Sequence, residues 1–267
     1  MRSDGRISSR VKDSLNDFTR RASAIWFCYC DVERDKLTPI YENQKSMTMK
    51  SFPILLSAVL TLALLPACGQ SKAPLKLEFP APTLKGTPDD LPKGPNIEPP
   101  PTKAPTPMQI PAGAMNVALG KTVTSSAKPF TGDLEQVTDG KKEAFDYDTI
   151  EMKKGAQWVQ IDLGATYELH ALAMWHDHRY IQSYFGVLVQ VSNDAEFKEK
   201  TTLFNNDTEN VVGQGAGTDR QYFETHFGKV VDGKATKARY VRCFTKGSSN
   251  SALNCWQEIE VYALPAK

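Results

Sequence analysis

The chemistry-bearing side chains gather first in one loop, Trp175-His176-Asp177-His178-Arg179-Tyr180. Sugar sites need planar rings to stack on C–H faces and polar groups to bond hydroxyls. His176, His178 and Arg179 are the candidates here, and Asp146, Tyr147, Arg220 and Trp256 stand in neighbouring loops from which they could converge. His-x-His also suits Zn²⁺, since two such residues on a strand share a face. Asp177 would then point away, and no further ligand is set by spacing. The plainer alternative is that Trp175 caps a core and the charged residues form a solvated turn.

A second cluster is Asp139-Gly140-Lys141, a tight loop with a carboxylate and inward carbonyls. Ca²⁺ takes six to eight such hard oxygens; the alternative is a plain Asp-Gly turn. Gly213 to Asp219, Gly-Gln-Gly-Ala-Gly-Thr-Asp, looks superficially like a phosphate cradle. No Lys-Ser/Thr follows it and no strand–helix frame surrounds it, so it reads as a surface loop. Neither a nucleophile elbow nor a positioned carboxylate pair is recognisable, and the chain is predicted not to be an enzyme.

These loops need a frame, and the frame reads as β. In Trp158-Val-Gln-Ile-Asp-Leu-Gly164, Val159, Ile161 and Leu163 alternate with Gln160 and Asp162, the period of a sheet with one buried face, and Gly164 closes the run. Similar short runs occupy 116–119, 122–125, 169–175, 185–192, 202–204, 229–231, 239–245 and 257–263. Turn signals such as Thr138-Asp139-Gly140 and Val231-Asp232-Gly233 separate them, which predicts a sandwich or barrel.

The folded domain is expected over 114–267. There 17 basic side chains face 20 acidic ones, which excludes the basic footprint of a nucleic-acid binder. Before it, twelve prolines between Pro74 and Pro111 mark 69–113 as an extended spacer. Further upstream, Met47-Thr48-Met49-Lys50 precedes an apolar run and Leu65-Pro66-Ala67-Cys68. A cationic start, a short apolar stretch and small residues before a Cys describe a signal segment over 47–68, and Leu-Pro-Ala-Cys resembles the bacterial lipobox. The resemblance implies lipid on Cys68 and a membrane-anchored envelope protein. Residues 1–46 then read as an upstream over-extension, with Cys28-Tyr29-Cys30 as an unsupported metal half-site.

Six segments in order resemble discoidin domains: Asn116-Val-Ala-Leu-Gly-Lys-Thr-Val-Thr-Ser-Ser126, Val137-Thr-Asp-Gly140, Trp158 to Gly164, Val189-Gln-Val-Ser-Asn-Asp194, Ala238-Arg-Tyr-Val-Arg242 and Glu258-Ile-Glu-Val-Tyr262. These domains are also called coagulation factor 5/8 type C domains, and they include the family 32 carbohydrate-binding modules. The resemblance implies an all-β, discoidin-like jelly-roll sandwich that binds a glycan or another cell-envelope ligand through loops at one end. It also implies a structural Ca²⁺ held by the carbonyls of Gln136, Lys141 and Gln257, the side chains of Asp139 and Glu258, and Thr149. The galactose-binding set of the family does not align as a whole. A protein–protein adhesion or scaffold module on the same fold is the alternative function.

Cys243 and Cys255 lie in the predicted runs 239–245 and 255–263. If those form a hairpin, the two thiols stand nearly opposite, and an oxidising compartment favours a disulfide. The alternative is two small buried hydrophobes.

Overall fold

The computed structural model describes residues 70–83, 91–145 and 149–266. The signal segment, Cys68 and Tyr147 lie outside the described residues. Thirteen strands follow in order: β1 (Lys72–Pro74), β2 (Gln109–Pro111), β3 (Met115–Asn116), β4 (Thr122–Ser125), β5 (Ile150–Met152), β6 (Gln157–Trp175), β7 (Gln182–Ser183), β8 (Leu188–Ser192), β9 (Thr201–Asn205), β10 (Phe223–Glu224), β11 (Lys229–Thr245), β12 (Asn254–Trp256) and β13 (Glu258–Pro265). One 3₁₀ turn, Leu134–Thr138, leads into the Asp139 loop.

The fold is an all-β sandwich, one of the two outcomes that the strand pattern predicts, and the one that the resemblance to the discoidin jelly roll implies. β6 is its spine. It pairs antiparallel with β11 along one edge, and β13 and β4 share the other; β8 and β9 extend the sheet beyond β11. Val159, Ile161 and Leu163 are completely buried, as their alternation requires. They join Leu172, Met174, Val241 and Val261 in one core, closed on the far side by Ile150, Met152, Tyr184, Tyr222 and Trp256 from the short pairs β5–β12 and β7–β10 and the segments beside them.

Two predicted breaks are bends within continuous strands. Gly164 (φ 84°) sits inside β6, and Asp232-Gly233 sits inside β11 at a register shift. Lys234 and Ala235 both hold φ near 54° there, and a side chain at Gly233 would strike the Leu169 carbonyl at 2.4 Å. A bulge absorbs extra residues without ending the ladder, so turn-forming residues do not have to end a strand.

The expected spacer is not free. Residues 70–83 and 91–113 lie against the sandwich as a strap. β1 and β2 pair with each other, Ala73 opposite Ile110. Leu75 and Ile110 bury themselves on Ala171, with Leu77, Met108, Val230 and Tyr262 alongside. Ala171 alternates with the core residue Leu172 on β6, so the strap covers the outer face of the sheet. Prolines confine such strands to edge pairs. They do not prevent the apolar residues between them from docking, and burial of each aliphatic side chain is worth about 1.5–3 kcal/mol.

Candidate functional site

The loop after β6 turns inward. His176 and His178 are both completely buried, and Asp177 between them is buried too. His176 has no exposed surface. Its Nδ1 lies 2.9 Å from Glu224 Oε2, and its ring stacks on Tyr184 at 4.1 Å and packs against Trp256 at 4.4 Å. His178 donates from Nε2 to the Lys142 carbonyl at 2.7 Å. In the neutral ring Nδ1 is then an acceptor, and it faces the Thr83 hydroxyl of the strap at 3.3 Å.

The sugar-ligand set predicted in this loop is therefore corrected. His176, His178 and Trp256 are completely buried and cannot touch a ligand. Arg179 is half-buried and clamps Asp177 with two bonds of 2.9 Å. Arg220 is exposed but lies elsewhere, donating to the Ile97 carbonyl of the strap. All of His176, Asp177 and His178 are buried against other segments, a packing outcome that residue type does not reveal. For the Zn²⁺ alternative, His176 Nδ1 faces Glu224 and both His178 nitrogens face protein oxygens, while His176 Nε2 is buried without a hydrogen-bond partner. Among the described residues no group of three or more His, Cys, Asp or Glu is gathered to hold a metal.

The Asp139 loop keeps most of its predicted members together. Gly140, at φ 85°, donates its N–H to Glu258 Oε2 at 3.2 Å, and the Lys141 N–H donates to Asp139 Oδ1 at 2.9 Å. Thr149 donates to Gln257 Oε1 at 2.7 Å, and Gln257 Nε2 reaches the Lys141 carbonyl at 3.5 Å. Gln136 stands one turn earlier, its side chain accepting from the Asp133 N–H at 2.6 Å. Glu258 is fully buried, and its Oε1 has no hydrogen-bond partner. Burial, helped by the Glu260 and Asp139 carboxylates, pushes its acid up to about 9. The orphaned Glu258 oxygen is the one observation here that suits a hard cation such as Ca²⁺; the described residues gather no group of three or more His, Cys, Asp or Glu around it.

The next residue, Lys142, links this loop to the strap. Its ammonium lies 2.7 Å from Glu260, donates to the Glu78 carbonyl at 3.1 Å, and sits over the Trp175 ring at 4.9 Å.

The concave surfaces lie elsewhere. One is a cleft of about 290 Å³ at the end of the sandwich where β8 begins and β9 and β11 finish, with Phe185, Thr208, Glu209, Gln221 and Lys246 around its mouth. Its floor is preset. Asn206 Oδ1 accepts the Val187 N–H at 2.7 Å, and the Asp207 carboxylate accepts the Val211 and Val212 N–H groups at 3.0 and 2.7 Å. Phe185 is half-buried and lines this cleft. The residue pattern does not single these residues out, because they come from three separate loops. The only local signal is a residue beside a glycine at a strand end, Phe185 before Gly186 and Lys246 before Gly247.

The predicted disulfide is also corrected. Cys243 and Cys255 are free, buried thiols. β6 lies between β11 and β13, so no hairpin forms. Cys243 faces Val159 and Val189, whereas Cys255 pairs with Glu151 across β12–β5 and its thiol lies 3.7 Å from that carboxylate. Burial, reinforced by Glu151 and Asp177, pushes the Cys255 thiol up to about 12, and burial alone raises Cys243 further. Neither is a nucleophile at neutral pH.

No family model and no curated protein matches the chain. It is similar to a family 89 glycoside hydrolase from Clostridium perfringens, with a TM-score of 0.43 at 18% identity over 57% of this chain. The chain spans 15% of the length of that enzyme. It is also similar to chitosan-binding module 1 of a chitosanase/glucanase from Paenibacillus sp. IK-5, with a TM-score of 0.38 at 21% identity, covering 55% of this chain and 98% of that one. The CBM32 of AlyQ, solved with 4,5-unsaturated mannuronic acid, gives a TM-score of 0.35 at 19% identity, covering 52% of this chain and 92% of that one.

Proposed function

We propose that this chain is a carbohydrate-binding module, non-catalytic, displayed on a bacterial envelope by lipid on Cys68, and that its sugar sits in the Phe185 cleft. The cleft itself carries the reading. A half-buried aromatic ring stands beside a hydroxyl, a carboxylate, an amide and an ammonium, from Thr208, Glu209, Gln221 and Lys246, over a hydrogen-bonded floor. Stacking on a ring and bonding from fixed polar groups are the two interactions that hold a pyranose. The proposal includes a structural Ca²⁺ at Asp139, Lys141, Thr149, Gln257 and Glu258, which would satisfy the orphaned Glu258 oxygen and pin the 139–141 loop to β13.

The test is a glycan array with the intact chain and two variants, Phe185→Ala and Lys246→Ala. Binding by the parent that Phe185→Ala abolishes supports the reading. Binding that survives both variants, or no binding at all, ends it.

A protein-docking role is the second reading. Phe130, Phe145 and Tyr180 each leave about 60% of their surface exposed, at 59%, 59% and 60%, on loops away from the cleft. Exposed aromatic rings of this kind suit a protein partner.

A further inference from the structure

The strap does more than cover the sheet. Its residue Ile97 forms a parallel bridge with Gln221; the Gln221 N–H donates to the Asn96 carbonyl and the Glu98 N–H to the Gln221 carbonyl, both at 2.8 Å. Gln221 lines the cleft. Its neighbours Arg220 and Phe223 line a second pocket of about 540 Å³, whose opposite wall is the strap, including Leu91, Lys93, Ile97 and Pro100. One short segment is therefore the common wall of both hollows.

The second pocket has a distinct character. Ile97, Leu91, Pro100 and Phe223 supply flat apolar ground. Lys93 and Arg220 are both exposed cations. The acid lining it, Glu98, is already paired with Lys229 at 2.8 Å, so its charge is offset. Arg220 is anchored by its bond to the Ile97 carbonyl, which spends one of five guanidinium donors and leaves the others for a ligand. The domain as a whole carries more acidic than basic side chains, 20 against 17 from Ala114 onward. An attraction for anions here is local to this pocket and not a general field.

We propose that residues 91–100 of the strap and the 220–223 segment form a subsite for an acidic group, a uronate carboxylate or a sulfate, on the same glycan that fills the Phe185 cleft. This rests on the carbohydrate reading above. The ligand is then an acidic oligosaccharide: one ring stacks on Phe185, and the next residue lays its C–H face on the Pro and Ile wall with its charge at Arg220 and Lys93.

Calorimetry on the intact chain tests this with matched probes: uronate-containing tetrasaccharides against their neutral methyl esters, and sulfated tetrasaccharides against their desulfated forms. The expected result is about tenfold tighter binding of the acidic member of one pair, weakening as salt rises. In Arg220→Gln and in Lys93→Glu that preference collapses while the neutral sugar binds as before. Both positions are exposed, and because Arg220 also holds the Ile97 carbonyl, thermal melts of both variants check that the strap stays in place. Equal binding of acidic and neutral members overturns the inference and leaves the cleft reading standing. A preference that survives both variants also overturns it. If no member of either pair binds, the inference falls. Whether the carbohydrate reading falls too is decided by the glycan array.

Discussion

Thr83 and His178 are 95 residues apart, and the Thr83 hydroxyl meets His178 twice, 3.3 Å from Nδ1 and 3.1 Å from the backbone carbonyl. The same imidazole holds the carbonyl of Lys142, whose ammonium in turn holds the Glu78 carbonyl of the strap. The strap, the loop after β6 and the 139–142 loop are thus tied into one polar unit on the sandwich.

The strap should come away when its apolar anchor is shortened. Ile110→Ala is expected to cost about 2–5 kcal/mol of strap docking, the range for a truncated buried isoleucine. Limited trypsin digestion reads this through cleavage at Lys93 and Lys103, which should speed up while the core resists. Unchanged cleavage would show that the strap is held by something other than the Leu75–Ile110 cluster.

His176 is a core residue in this structure, so its loss should show in stability. His176→Ala strips the partner from the buried Glu224 carboxylate and opens the stack with Tyr184 and Trp256. Breaking a buried pair of this kind costs about 3–5 kcal/mol. Denaturant melts should show that loss, and the protein that remains folded should bind glycan with parental affinity. A variant that melts like the parent yet fails to bind would place His176 in the ligand site after all.

Glu258 separates a cation site from a plain turn. Ca²⁺ at about a hundred times its dissociation constant should stabilise the parent by about 2.7 kcal/mol. Glu258→Gln should abolish that response. In chelator the variant should match the parent, because burial already keeps Glu258 neutral near pH 7, its acid pushed up to about 9, and the amide is neutral as well. A melting temperature indifferent to Ca²⁺ in the parent removes the cation from the account.

Asp162 gives the surface electrostatics a sign. Hydrogen bonds from Arg239, 2.8 Å at each carboxylate oxygen, hold its carboxyl below the usual carboxylate range against the opposing effect of burial, and the Gly164 N–H adds to the hold. A depressed carboxyl adds stability that is complete above its unfolded value, near 3.9, and is lost as pH falls through the lowered native value. The pair is half-exposed, so Asp162→Asn should cost about 0–1 kcal/mol at neutral pH. Thermal melts of parent and variant should converge as pH drops below 4. A gap that stays constant down to pH 2.5 would mean that the ion pair contributes nothing.

Local pattern was enough for the class of fold. Period-2 alternation in Trp158 to Leu163 placed Val159, Ile161 and Leu163 in the core, because a pleated strand leaves no other arrangement once one face is buried. It also marked the tight Asp139-Gly140-Lys141 turn, whereas the grouping of that turn with Gln257 and Glu258 came only from the resemblance to discoidin domains. What lay beyond it depends on contacts between distant segments. Whether His176 faces ligand or core is set by Glu224, Tyr184 and Trp256, from three other elements. Whether Cys243 meets Cys255 is set by β6 lying between β11 and β13. The prolines mark 69–113 as unable to join a central strand, and among the described residues of that segment β1 and β2 pair only with each other. Only the outer face of the sheet, with Ala171 exposed to anything that could cover it, decided that Leu75 and Ile110 would bring the strap down onto it. Burial of apolar surface belongs to a pair of surfaces, and one stretch of sequence holds only half of the pair.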